Sequence, residues 1–167
     1  MSTLKVDTIE DKGGAFEHAR LVQVVNLTTG ALGTGTTTMP HDDTIPQNDE
    51  GDQYMTLAIT PTHASNKLLI EVVGCFGNSA ADWHQTALFK DSDAGAISAT
   101  TAFFTTATAV VPMVLTHFMV AGSTSEITFK VRSGLDSSGT TSFNGQNAGR
   151  MLGGVHASSM TISEIRV

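Results

Sequence analysis

The chain has 167 residues, of which 40% are hydrophobic and only 15% are charged, and its net charge is −7. This length fits one domain with a single core, and the acidic balance argues against nucleic acid, whose phosphates require a basic surface. The charged fraction lies well below the roughly 25% that is usual in soluble domains. Because charge depletion is typical of the buried centre of protein interfaces, the composition predicts a subunit of a larger assembly.

Residues 1–20 differ from the rest of the chain by their density of charges: Lys5, Asp7, Glu10, Asp11, Lys12, Glu17 and Arg20. Gly13-Gly14 interrupts any regular element in this segment. We interpret residues 1–20 as an N-terminal arm or adapter and residues 21–167 as the domain; a frayed terminus is the alternative. The first residues contain no apolar signal region, which predicts synthesis in a reducing cytoplasm.

From residue 21 onward, short strands alternate with turn signals. Strands are predicted over residues 21–27, 54–60, 67–76, 85–90, 112–120, 126–132, 140–143 and 160–167. Residues 30–38 predict a loop or weak edge strand, residues 41–52 an exposed loop, and residues 99–111 are ambiguous, although Thr and Val disfavour a helix there. Residues 126–132 alternate cleanly, which predicts Ile127, Phe129 and Val131 inward. Asn144-Gly145 suits a type I′ hairpin turn. This pattern predicts an all-β fold, namely an antiparallel, jelly-roll-like β-sandwich.

The strand predicted over residues 67–76 is apolar on both faces, with Leu68, Ile70, Val72 and Phe76 on one and Leu69, Val73 and Cys75 on the other. A strand of this kind is buried on both sides, or its second face meets a neighbouring subunit. Glu71 is the acid in this strand, and we expect it to form an ion pair with Lys130 or Arg132 rather than to act in catalysis.

The residue types needed for catalysis or metal binding are scattered. The six histidines lack metal-ligand spacing, and Cys75 has no second cysteine to pair with. No Gly-x-Ser-x-Gly motif occurs, and most acids lie in the arm and in the 41–52 loop rather than as a positioned pair. We read Asp91-x-Asp93 as a polar turn, not a calcium loop. The sequence therefore predicts no catalytic residue, no metal site and no cofactor.

One cluster suggests binding. Asp82-Trp83-His84 places the only tryptophan between an acid and an imidazole, in a polar loop predicted over residues 77–85. An aromatic ring beside hydrogen-bonding groups suits the apolar face of a sugar. We therefore predict a receptor or glycan site at Asp82, Trp83 and His84. The alternative is that Trp83 fills a gap at the end of the sandwich or a pocket in an interface.

Residues 59–72, ITPTHASNKLLIEV, resemble the ITPTSASNKLLIEV signature found in many bacteriophage tail-fibre and virion-surface proteins, with His63 where Ser is more usual. Further stretches match in the same order: ALFKD at 87–91, TFKVRSG at 128–134, GTT at 139–141, NG at 144–145 and GGVHASSMTISEI at 153–165; LKVDTI at 4–9 resembles the start of fibre modules. The resemblance implies a jelly-roll-like sandwich, usually a homotrimer, exposed on a virion. It implies no catalytic residue.

Two functions follow from the resemblance. The protein is expected to be a short tail fibre or fibre tip, attached to other virion proteins through residues 1–20 and contacting a host surface glycan or protein through its loops. The alternative is a capsid decoration or cement protein. A polysaccharide-degrading enzyme is disfavoured because the carboxylate pair is missing. In each case we expect synthesis in the host cytoplasm, a virion location and no membrane insertion, since the longest apolar runs are too short to cross a bilayer.

Overall fold

The computed structural model describes residues 19–166, so that most of the predicted arm lies outside the described residues. The strands in chain order are β1 (Arg20–Thr29), β2 (Gly33–Gly35), β3 (Asp52–Ile59), β4 (Lys67–Asn78), β5 (Asp82–Lys90), β6 (Ser98–Phe104), β7 (Val110–Val120), β8 (Ile127–Leu135), β9 (Thr141–Phe143), β10 (Gly145–Gln146), β11 (Gly149–Arg150) and β12 (Ser158–Arg166), and a 3₁₀ turn spans Leu152–Gly154. In this part of the chain no helix is long and apolar enough to cross a membrane.

The strands form two main antiparallel sheets. In the first sheet β1, β12, β4 and β7 lie side by side, and β9 and β2 continue it beside the end of β4. The second sheet has the order β3-β8-β5-β6, and β10 and β11 form a small separate hairpin. The chain is therefore an antiparallel, jelly-roll-like β-sandwich over the described residues, and the predicted fold class is confirmed.

The core lies between the inner faces of the two sheets. Alternate residues of each strand point inward, and the largest fully buried core side chains include Leu68, Ile70 and Phe76 of β4 and Phe129 of β8. The predicted inward residues of both strands are thus confirmed. Because full burial of a large apolar side chain stabilises a fold by about 1.5–3 kcal/mol, this layer dominates the stability of the domain.

The segment 36–51 packs over the outer face of the second sheet. Met39 is completely buried there against Ala87 and Phe89 of β5. Hydrogen bonds hold the segment: the Met39 backbone N–H donates to the Leu135 carbonyl over 2.8 Å, and the Arg132 side chain donates from Nε to the Glu50 carbonyl over 2.8 Å. Most of the predicted 41–52 loop is exposed as expected, but this segment also gives the second sheet a second buried layer.

Two local predictions are wrong. Asn144 is not in a hairpin turn: it is buried with a φ of 54°, and its side chain donates to the Thr29 carbonyl and accepts from Ser158 Oγ. These bonds hold the connection between β9 and β10 against β1 and β12. The hairpin turn lies at Asn147-Ala148, between β10 and β11, where both residues have positive φ.

The second wrong prediction concerns the start of β5. This strand begins at Asp82, before the predicted residue 85, so Trp83 lies in a strand and not in a loop. The ambiguous stretch after it contains β6, which pairs with β5 along its length. The local sequence of this stretch has no clear period, so it does not predict a strand. Pairing with β5 makes Ser98–Phe104 a strand.

Candidate functional site

Three rings form an exposed cluster at the start of β5, which we call the aromatic shelf: Trp83, Phe103 and His41. Trp83 and Phe103 are directly paired residues of β5 and β6, and their rings meet at 5.3 Å and 63°. The His41 imidazole lies flat on the indole, with a centroid distance of 4.1 Å and an interplanar angle of 5°. Trp83 is 37% exposed and Phe103 is 51% exposed. The shelf is thus a rigid apolar surface open to solvent.

His41 is fixed in place by its neighbours. Its backbone N–H donates to Asp136 Oδ1 over 2.8 Å, and its Nδ1 lies 3.4 Å from Thr101 Oγ1 on β6. The stack therefore joins the segment 36–51 to the second sheet. No sequence spacing indicated this contact, because His41 and Trp83 meet only when the segment folds over the sheet.

The Asp82 carboxylate stabilises the turn beside the shelf. It accepts hydrogen bonds from the backbone of Trp83 and from both the N–H and the hydroxyl of Ser137, at 2.7–2.9 Å. Partial burial opposes ionisation, but the hydrogen bonds from Ser137 and Trp83 outweigh it and hold the pKa of Asp82 below its usual range. Asp82 is therefore an anion next to the shelf.

His84 does not share the surface of Trp83, and this part of the predicted site is wrong. Adjacent residues of a strand point to opposite faces, so the His84 ring is completely buried between the sheets. It lies 2.7 Å from Asn78 Oδ1 and 2.6 Å from Ser133 Oγ, and stacks on Phe104 at 4.9 Å. Burial lowers the pKa of His84 to about 3, although Asp82 opposes this shift, so the ring is neutral at physiological pH.

The order Ser133–His84–Asn78 superficially matches a nucleophile, a base and an orienting amide. All three side chains are completely buried, however, and the Ser133 hydroxyl donates to the Gln85 carbonyl over 2.8 Å. Within residues 19–166, no group of three or more His, Cys, Asp or Glu side chains could hold a metal ion. The Ser133 cluster instead ties β5 to β8 inside the core.

A second buried polar cluster surrounds Glu164 of β12. Its carboxylate accepts hydrogen bonds from Asn66, from Gln23 and from the N–H and hydroxyl of Thr62, at 2.5–2.8 Å. Burial opposes ionisation, but the bonds from Asn66, Gln23 and Thr62 lower the pKa of Glu164 to about 2. Thr62 and Asn66 belong to the ITPTHASNKLLIEV segment, so these signature residues fix the turn between β3 and β4. Thr62 and Asn66 also line a surface pocket together with Arg20, His63 and Arg166.

The outer face of the first sheet carries exposed apolar side chains and is uncovered over the described residues, and we call it the bare face. The strongly exposed residues that it presents are Val24 of β1, Val73 of β4, and Val114, Phe118 and Val120 of β7. Leu69 and Cys75 lie on the same face and are half-buried. The exposed fractions of these five residues are 40–57%. Val73 pairs with Val114 and Leu69 with Phe118, and the polar row of Glu71, Thr116 and Thr161 runs between these two apolar pairs. Exposed apolar side chains grouped in this way and rimmed by polar residues are typical of an interaction surface.

The charges near the bare face differ from those expected. Glu71 is exposed on this face, opposite Thr116 and Thr161. Lys130 and Arg132 belong to the other sheet, where Lys130 Nζ donates to the Asp91 carbonyl. The predicted ion pair of Glu71 with either residue is therefore wrong, because the pattern within single strands does not show which sheet each strand joins.

Comparisons with known proteins give no family. No family model matches the chain, and no curated protein matches it. A solved sugar-binding protein, the EclA C-terminal domain, is 12% identical with a TM-score of 0.37, over 83% of this chain and 87% of that one. The infectious bursal disease virus VP2 subviral particle is 11% identical with a TM-score of 0.33, over 88% of this chain and 38% of that one. Likenesses this distant carry no argument about function.

Proposed function

We propose that this protein is a structural subunit of a bacteriophage virion that assembles with copies of itself through the bare face. The observation that carries the proposal is the uncovered apolar surface of β4 and β7. Each exposed Val or Phe that a partner covers gains about 25 cal/mol per Å² of apolar area. The phage assignment is supported by the resemblance of residues 59–72 and of the matching stretches after them.

Within this proposal, the protein is a short tail fibre or fibre tip. Residues 1–20 attach it to other virion proteins, three copies form the unit, and the loops contact the host surface. A capsid decoration protein is the second candidate, since a broad apolar face also suits a capsid surface. We propose a non-enzymatic role in both cases, because the Ser133–His84–Asn78 cluster is buried and hydrogen-bonded within the core.

The test of assembly is the variant Val73→Asp. Val73 is 40% exposed, so the isolated domain tolerates the carboxylate, whereas burial of an unpaired charge in an interface costs several kcal/mol. We expect light scattering after size exclusion to give an oligomer, in the fibre case a trimer, for the wild type and a folded monomer for Val73→Asp.

The matched control is Val155→Asp, which adds the same charge at a residue that is 84% exposed and outside the bare face. It should leave the oligomer unchanged. A monomeric wild type, or a Val73→Asp variant with the wild-type mass, would contradict the assignment of the bare face. Copy number per particle then separates the two candidates: few copies at the tail support a fibre, and many copies on the shell support a decoration protein.

A further inference from the structure

The aromatic shelf has the shape of a platform for a single sugar ring. His41 covers one face of the Trp83 indole, and Trp83 is nevertheless 37% exposed. Phe103 stands beside it at 63° and forms a second wall. A pyranose ring has an apolar face of C–H groups, which packs against such a wall while its hydroxyl groups stay in water or bond to polar neighbours.

Contacts within the protein already hold the rings of the shelf in this arrangement without a ligand. Trp83 is fixed from one side by His41, whose backbone is bonded to Asp136; its own backbone pairs with Phe103 of β6, and its carbonyl accepts the Asp136 N–H over 3.0 Å. Because the rings need no reordering, little side-chain entropy is lost on binding. The contact between His41 and Trp83 anchors the 36–51 segment and does not cover Phe103, which stays 51% exposed. Anchoring of the segment therefore does not account for an exposed ring at position 103.

The charges around the shelf select the class of sugar. Two acids lie beside His41: Asp42 follows it in the chain, and Asp136 Oδ1 accepts its backbone N–H. Asp82 precedes Trp83 in β5, so its side chain starts from the opposite face of the strand, and its carboxylate is bonded to Ser137 and to the Trp83 N–H. Hydrogen bonds donated by Thr44 hold the pKa of Asp42 below its usual range. Hydrogen bonds donated by Ser137 and Trp83 likewise lower the pKa of Asp82 against the effect of partial burial. Carboxylates accept hydrogen bonds from sugar hydroxyls or an ammonium group, and they repel acidic sugars.

We propose that Trp83 and Phe103 bind a neutral or amino pyranose, which packs its apolar face on their exposed ring surface, while the carboxylates beside His41 disfavour an acidic sugar. This inference rests on the proposed function only in taking the sugar to belong to the host surface. It replaces the sequence-based site of Asp82, Trp83 and His84 by Trp83, Phe103 and His41, and it leaves Asp82 the structural role of holding the turn at Ser137.

Trp83 is the only tryptophan of the chain, so its fluorescence reports on the shelf alone. The experiment titrates the purified full chain with the methyl glycosides of glucose, galactose, mannose, N-acetylglucosamine and glucosamine, and with glucuronate as the acidic counterpart. We expect a saturable change of the emission with at least one neutral or amino sugar and a much weaker response to glucuronate. Phe103→Ala should weaken the affinity at least about tenfold, since it removes one stacking wall.

Phe118→Ala is the matched control, because it truncates a similarly exposed Phe on the bare face and should leave the sugar affinity unchanged. Trp83→Ala, followed by calorimetry, should abolish binding while circular dichroism shows a folded sandwich. No saturable response to any of the five glycosides, tighter binding of glucuronate, or equal affinity in Phe103→Ala would each overturn the proposal.

Failure of this inference is separable from failure of the proposed function, because the mass of the oligomer is measured on the same samples. An oligomer that binds none of the five glycosides contradicts the sugar site alone. A monomer that binds a sugar contradicts the assembly role alone.

Discussion

The outer faces of the two sheets differ in whether another segment of the chain covers them. Over the second sheet, the segment 36–51 buries Met39 against Ala87 and Phe89, so the chain itself covers its apolar residues. Over the first sheet, Val114 and Phe118 are 57% and 56% exposed and no described segment lies on them. Both faces carry apolar side chains, but only one has a cover from its own chain. Apolar content alone therefore does not distinguish an intramolecular layer from a surface that a partner covers.

Truncation of one apolar side chain on each outer face tests directly whether the two faces contribute differently to the stability of the monomer. In the monomeric Val73→Asp background, Met39→Ala should lower the free energy of unfolding by about 2–5 kcal/mol, because it leaves a cavity under the covering segment. Val114→Ala should change it by less than about 1 kcal/mol, because that side chain is mostly in water. Urea unfolding measures both. Equal losses would show that the bare face is packed within the monomer.

Acid should destabilise the protein through the layer between the sheets. The pKa of His84 is about 3 in the folded chain, below its ordinary value of 6.5. Between these two pH values the unfolded chain binds a proton at His84 and the folded chain does not. The stabilising contribution of neutral His84 is fully present above pH 6.5. It falls by about 1.4 kcal/mol per pH unit from pH 6.5 toward pH 3, so that about 2 kcal/mol of unfolding free energy is lost by pH 5. Below pH 4.5, Glu164 adds to the loss, since its folded pKa is lowered to about 2.

Unfolding free energies measured between pH 7 and pH 3.5 check this prediction. In the monomeric Val73→Asp background, Glu164→Gln should remove only the additional slope that Glu164 contributes below pH 4.5, and the slope from His84 should remain. Glu71→Gln, on the bare face of the same sheet, provides the matched exposed control and should leave the acid response nearly as it is. A stability that stays constant from pH 7 to pH 5 would contradict the neutral, buried state of His84.

The smallest expected effect concerns the thiol of Cys75, which lies half-buried on the bare face. Burial raises the pKa of this thiol, so it reacts slowly even in the monomer. Coverage by a partner should slow alkylation by iodoacetamide a further few-fold in the wild-type oligomer relative to the Val73→Asp monomer, measured at one pH by mass spectrometry. The same rate in both forms would place the interface away from Cys75.

Much of the fold could be predicted from the sequence. The alternation in β8 assigned Ile127, Phe129 and Val131 to the core, and all three are buried. The two-sided apolar pattern of β4 predicted a second apolar face, and Val73 on that face is 40% exposed in the isolated chain. These successes follow from the period of two in a strand, which is a local property.

The candidate site could be predicted only in part. The sequence singled out Trp83 but assigned it to a loop, and therefore grouped it with His84, which points into the core. The start of β5 was missed because the pairing of Asp82 with Phe104 and of Trp83 with Phe103, not the local composition, extends the strand. His41 and Phe103 had no sequence signal, because they meet Trp83 through register and loop packing.

The sequence by itself determined the class of fold, the apolar strands and the charge deficit, since these depend on local periodicity and composition. The tertiary structure alone decided which apolar face is covered and which is bare, which residues complete the aromatic shelf, and that Glu164 fixes the signature turn. These features depend on contacts between distant segments, such as Glu164 with Thr62 and His41 with Trp83. Such contacts arise when sheets stack and loops fold over them, and no local pattern specifies them.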